Sequence, residues 1–294
     1  MKYLLLILAT VCSSSKAVVC KKISHGQGEA RGVLFLNANI FAIGAITILI
    51  CHIGKIKSFF EISAFSFLLA LVFAIFLLFT QITQIFAMSH GLVSLSSFIY
   101  SCGFLIPIFY SAIFLRESVS LYQILGIILL LFSLIIILPP DKNGKFSFLW
   151  LALALMSMLG SGANAVIQKI HQSSDFKGEL VPFVFFSFLF ASVFSFIFSI
   201  FGKKDTGFKN SALYKKRSSV ILMAIGGIVV GVLNVANLSL AGKLPAVIHF
   251  PIYNVCSMIL TALLGKILFG EIIGRRKLIG YIAGLCAITV IGLL

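Results

Sequence analysis

Apolar runs of membrane-spanning length recur along almost the whole chain, at about residues 3–20, 33–51, 62–87, 92–115, 119–138, 147–167, 180–201, 219–239, 246–269 and 277–294. A spanning helix needs roughly 20 mostly apolar residues, so ten of them consume about 200 positions. Of the 294 residues, only short connections remain. A large soluble catalytic domain is therefore excluded. Composition agrees: 60% of the residues are apolar and 11% are charged, where soluble domains run near 45–50% and about 25%. The expected fold is an all-α membrane protein with ten transmembrane helices.

The breaks between runs carry turn chemistry, as at Gly26-Gln27-Gly28 and Pro139-Pro140-Asp141-Lys142-Asn143-Gly144. The chain also repeats itself. Leu115-Arg116-Glu117 precedes Gly126, and Phe269-Gly270-Glu271 precedes Gly280, at an offset of 154 residues. Ala17-Val18-Val19-x-Lys21 likewise matches Ala165-Val166-Ile167-x-Lys169, at an offset of 148. The expected organisation is a first five-helix repeat over 1–138, a linker over 139–146 and a second repeat over 147–294. An odd number of spans per half makes the halves enter the membrane from opposite sides, which is an inverted repeat.

The formal charge is +15, with 23 basic and eight acidic residues. The basic residues sit between the apolar runs, and no basic face with interleaved aromatics exists outside them, so nucleic acid is not an expected partner. On the side of the termini the count includes Lys2, Lys55, Lys57, Arg116, Lys169, Lys177 and Lys243; the opposite side carries fifteen, six of them within 203–217. By the positive-inside rule this puts the termini outside the cytoplasm. The six cysteines form no CxxC pair, so neither a disulfide framework nor a zinc site is expected. Met1–Val11 imitates a signal peptide, but Val11 is large for a cleavage site before Cys12, and residues 3–20 read as a retained helix. No Walker motif appears, and Gly160-Ser161-Gly162 lacks the strand-to-helix setting of a nucleophile elbow. The expectation is no enzyme and no cofactor.

Two five-helix halves, each with an acidic turn, a glycine nine residues later and a closing helix, resemble the EamA-like type of the drug/metabolite transporter superfamily. The signatures are Leu115-x-Glu117 with Gly126 and Phe269-x-Glu271 with Gly280, and Ala87 aligns with Ala241. The resemblance implies a ten-helix carrier whose central cavity is lined by the first, third, fourth, sixth, eighth and ninth helices. It also implies cytoplasmic termini, the reverse of the charge count. The four-helix multidrug relatives carry a glutamate in their first helix, where this chain has Lys16.

Polar residues inside the runs are the candidate site. Lys16, whose repeat counterpart is Asn164, either binds a solute carboxylate or phosphate or snorkels to the headgroups. Thr80 and Thr83 align with Asn234 and Asn237, each pair on one helix face. They either bind solute or join neighbouring helices. Gln81 and Gln84 have apolar counterparts. His249 and Tyr253 share a face, with Asn254 adjacent; His249 is either a proton site or a structural histidine. Ser97 and Tyr100 offer hydroxyls from the other half, whereas His90 reads as a loop residue. Glu117 and Glu271 read as anions near helix N-termini rather than as ligands. Gly227-x-x-x-Gly231 and Gly280-x-x-x-Gly284 permit close helix packing.

With a buried cation and no buried acid, the favoured function is a secondary carrier in the cytoplasmic membrane, working by alternating access. Its solute is a small polar metabolite of amino acid or organic acid type. The expected partners are that solute, the lipid bilayer and a coupling proton. The alternatives are a flippase for a lipid-linked metabolite and a non-transporting scaffold.

Overall fold

The computed structural model describes residues 2–24, 30–52, 61–90, 96, 99–137, 148–201, 217–269 and 274–293. Most of these are helical, with no strand among them. In chain order the helices are α1 (Lys2–Ser24), α2 (Ala30–Cys51), α3 (Ala64–His90), α4 (Leu105–Phe114), α5 (Leu121–Ile137), α6 (Phe148–Ser173), α7 (Leu180–Phe201), α8 (Arg217–Ala241), α9 (Ala246–Phe269) and α10 (Arg275–Leu293). Seven of them are long and apolar enough to cross a membrane; three shorter apolar helices cover Ile99–Phe114, Leu121–Ser133 and Leu278–Ile291. Helix is the dictated solution because, without water, a peptide group must find its partner inside its own segment. His90, expected in a loop, ends α3 instead: the helix continues three residues beyond the end of the apolar run at Ala87.

Turns end the helices where the sequence stops supplying them. Between α8 and α9, Gly242–Leu244 leads into Pro245, and the Ile248 and His249 amides both close on the Pro245 carbonyl. Proline opens a helix well because its missing N–H has no partner there anyway. Between α4 and α5 the chain turns at Arg116, the one non-glycine with positive φ (53°) among the described residues.

The helices pack as pairs: α1 with α8 and α9, α2 with α7 and α8, α3 with α6 and α7, α4 with α6, and α5 with α10. Phe41 on α2 packs on Phe188 of α7 at 5.7 Å, and Phe73 on α3 packs on Phe183 at 5.6 Å. A second apolar cluster joins Phe104, Ile108, Leu130, Phe250 and Ala287. A third joins Ala9 and Cys12 of α1 to Leu233, Ala236 and Leu240 of α8. So α1 is an integral member of the bundle. Outward faces carry Leu4, Ile7, Phe109, Ile128, Phe198 and many others exposed, which suits contact with lipid tails.

The glycine motifs serve this internal packing. A Cβ on Gly227 would meet the Ile43 side chain at 2.6 Å, and one on Gly231 would meet the Gly44 carbonyl at 3.2 Å. On the other pair, Ser133 of α5 donates to the Gly280 carbonyl at 2.7 Å, and a Cβ on Gly284 would lie 2.9 Å from Ser133 Oγ. Gly227→Ala therefore forces α2 and α8 apart and is expected to cost about 1–3 kcal/mol. Gly274→Ala, with open space around its Cβ position, is expected to be silent. Thermal melting of the two variants in detergent checks this.

Candidate functional site

The ninth helix carries a polar stripe. His249, Tyr253 and Ser257 stand four residues apart, so they share one face of α9. That face meets α1, where Ser14 donates to the Ser257 carbonyl at 3.0 Å. Tyr253 is the hub: its hydroxyl has Ser13 and Asn237 as hydrogen-bond neighbours, and it lies within electrostatic reach of Tyr100 and Lys16. Segments of α1, α8 and the stretch carrying Tyr100 thus approach one phenol on α9, with Lys16 within electrostatic reach. The His249 ring lies 6.2 Å from the Tyr253 ring and 4.6 Å from that of Phe250.

What marks the cluster is unspent hydrogen-bonding capacity. His249 is 0% exposed, yet neither ring nitrogen has a partner among the described residues. The Oδ1 atoms of Asn237 and Asn164 and the hydroxyl of Ser257 are also buried and unpaired. A buried polar atom left without a partner costs about 1–3 kcal/mol. Native proteins rarely leave such atoms without a protein, water or ligand partner. A neutral imidazole brings one donor and one acceptor, and the two amide oxygens bring acceptors. With Lys16 adding a cation, the group can hold a solute that has both anionic and donor atoms.

A second polar pair links α3 and α6: Asn164 Nδ2 donates to Thr80 Oγ1 at 3.1 Å, and Thr80 donates onward to the Phe76 carbonyl at 2.6 Å. Thr83 and Asn234 are engaged by their own helices, donating to Phe79 O at 2.8 Å and Val230 O at 3.0 Å. Asn254 does the same towards Phe250. Ser97 lies outside the described residues. Ser13 and Ser257 were not singled out in the sequence, although Ser13 stands three residues before Lys16 and Ser257 four after Tyr253.

One buried charge was misplaced. Lys169, counted above among loop charges, lies within α6 and is 3% exposed. Its Nζ donates to Glu117 Oε1 at 2.7 Å and to the Leu244 carbonyl at 3.0 Å, while Glu117 Oε2 accepts from the Ala246 amide at 2.8 Å. Glu117 is thus an anion at a helix N-terminus, as expected, but that of α9 rather than of the helix following it in sequence. Such placement is favourable because the first amides of a helix lack partners. Lys169 is also within electrostatic reach of His249, which connects this ion pair to the stripe.

The chain is thus a multi-pass membrane protein with a polar cluster buried where its helices meet. The EamA-like transporter family model matches residues 1–138 and 148–293, and the chain belongs to that family. Its members are membrane transporters of the drug/metabolite type. A solved structure titled "Crystal structure of protein" superposes with a TM-score of 0.75 at 14% identity, over 99% of this chain and 96% of that one, and so shares the fold. No curated protein sequence matches the chain.

Removing one member of a buried ion pair strands the other. Glu117→Ala leaves Lys169 buried with only a carbonyl, and is expected to cost about 3 kcal/mol. Lys169→Met is expected to cost less, because Glu117 is partly exposed (23%) and keeps the Ala246 amide. Unfolding midpoints of the two variants test the order. Arg116 offers a separate check, since its left-handed backbone suits glycine, the residue at the equivalent repeat position, Gly270. Arg116→Gly is expected to be neutral or to stabilise by up to about 1 kcal/mol, and the β-branched Arg116→Val to destabilise. The same melts decide it.

Proposed function

We propose that the protein is a secondary carrier for a small polar organic metabolite bearing an anionic group, of amino acid or organic acid type. It binds its solute at the cluster around His249 and Tyr253. The observation that carries this reading is the set of buried hydrogen-bonding atoms on α8 and α9, Asn237 Oδ1 and both His249 nitrogens, that lack a partner among the described residues around Tyr253. A solute held there would satisfy them and be released when they are exposed to one side.

The helix pairs support a two-repeat construction. Shifting every helix number by five turns α1–α8 into α6–α3, α2–α8 into α7–α3 and α1–α9 into α6–α4, while α2–α7 and α5–α10 map onto themselves. The family model also matches in two stretches, 1–138 and 148–293. In this reading ten helices form two inverted halves that rock about the site, in the cytoplasmic membrane. The repeat also frames the charge preference. Asn164, bonded to Thr80, is the counterpart of Lys16, beside Tyr253; one half is neutral where the other is cationic. That single asymmetry favours an anionic group on the α1 side. His249, with both nitrogens unpartnered among the described residues, is the candidate for a coupling proton.

The test is thermal stability of the purified protein against amino acids and small organic acids at several pH values. A solute at about 100 times its dissociation constant stabilises by roughly 2.7 kcal/mol. Stabilisation by an anionic or zwitterionic solute, weakened in Lys16→Ala and Asn237→Ala, is expected. A preference for organic cations, or a response unchanged in Lys16→Ala, overturns the anionic reading. Stabilisation by lipid-linked compounds alone replaces it with a flippase.

A further inference from the structure

The Lys169–Glu117 pair ties together parts of the chain that the two-repeat reading assigns to different halves. Glu117 lies in the α4–α5 turn of the first half. Its partners Lys169, Leu244 and Ala246 lie on α6, the α8–α9 turn and the start of α9, all in the second. A second network beside it crosses the same boundary. Ser63, before α3, donates through its hydroxyl to Glu179 Oε2 at 2.7 Å and through its amide to the same oxygen at 3.1 Å. Ser66 of α3 meets His171 Nε2 of α6 at 3.3 Å, while the other ring nitrogen faces the Gln172 amide at 3.0 Å. The last turns of α6 are thus stitched to the first half at two neighbouring points.

Two further observations single out Glu117. It follows Arg116, whose left-handed backbone is a strained conformation held at the point where the pair forms. Such outliers persist only where the surroundings over-determine them, and they concentrate at switch regions and functional sites. The pair also stands next to the candidate site: His249 follows Ala246 by three residues, within one turn of α9, and feels the Lys169 charge. Moving Glu117 therefore moves the end of the helix that carries the site.

We propose that Glu117, Lys169 and the Ala246 amide form a latch that holds this end of the bundle shut over the polar site and parts each time that end opens. This rests on the carrier reading above. In the latched state the lysine charge is neutralised at a single contact and α9's first amide has its acceptor. In the open state water replaces both. An ion pair suits such a role because its closed and solvated forms are close in free energy, while a partly closed form, dry and unpaired, is penalised.

The experiment measures access rather than transport. Val247, buried next to Ala246, is replaced by cysteine in a chain whose own six cysteines are changed to serine or alanine. Reaction with a membrane-impermeant maleimide is timed from each side of sealed vesicles. Labelling is expected to be slow with the latch intact and about tenfold faster, from one side only, in Glu117→Gln, the factor that a closing bias weakened by about 1.4 kcal/mol produces. Glutamine keeps an acceptor for the Ala246 amide, so helix capping survives while the ion pair is lost. Lys169→Met, made in parallel, is expected to act in the same direction and decides the matter if Glu117→Gln does not fold. Unchanged labelling in a variant that melts normally overturns the latch. So does faster labelling from both sides together with a lowered melting point, which signals a loosened fold. Faster one-sided labelling in a protein whose labelling and stability respond to no solute keeps the latch and removes the carrier reading.

Discussion

A peptide group inside a bilayer has no solvent to turn to, and this constraint shapes everything else in the molecule. It forces the chain into helices, and it makes each polar side chain between them account for its hydrogen bonds. Most do so locally: Thr47, Thr83, Ser187, Asn39 and Asn234 return a donor to a carbonyl of their own helix. Against that background His249 is distinct, because both of its ring nitrogens are buried without a partner among the described residues.

Close approach makes the arrangement possible. Gly44, Gly227 and Gly231 let α2 and α8 touch through their backbones, and Gly126 and Gly284 make room between α5 and α10 for the Ile291 and Ser133 side chains. Tight contacts such as these hold α8 in place, and α8 in turn positions Asn237 beside Tyr253. Phenylalanines fill the wider space between α2, α3 and α7. Both sets of contacts join a helix within 1–138 to one within 148–293, so close approach ties the two stretches of the chain together.

Much of this was legible in the residues alone. The apolar runs located most helices to within a few residues, but α4 begins well inside the run expected at 92–115 and α6 extends to Ser173, past the run expected to end at 167. The 154-residue offset paired Thr80 with Asn234 and Thr83 with Asn237, and His249 with Tyr253 followed from helical spacing. Tertiary contact then sorted this set. Tyr253, Lys16, Asn237, Tyr100 and His249 form one cluster, Thr80 and Asn164 form another, and Thr83 and Asn234 are held by their own helices. Lys169 escaped notice as a buried residue because a lysine near a helix end looks the same in sequence whether water or a glutamate neutralises it.

By itself the sequence determined that this chain is helical and lies in a membrane, and its paired acidic turns resemble those of EamA-like transporters. Helix and membrane follow from local composition and spacing, which need no knowledge of neighbours. Only the tertiary structure decided which polar atoms find partners, that Glu117 serves the N-terminus of α9, and that Lys169 is buried against it. Pairing across 52 and 129 residues depends on how helices stack. The stacking is set by small residues and shape at many contacts together, so no single stretch of sequence carries it.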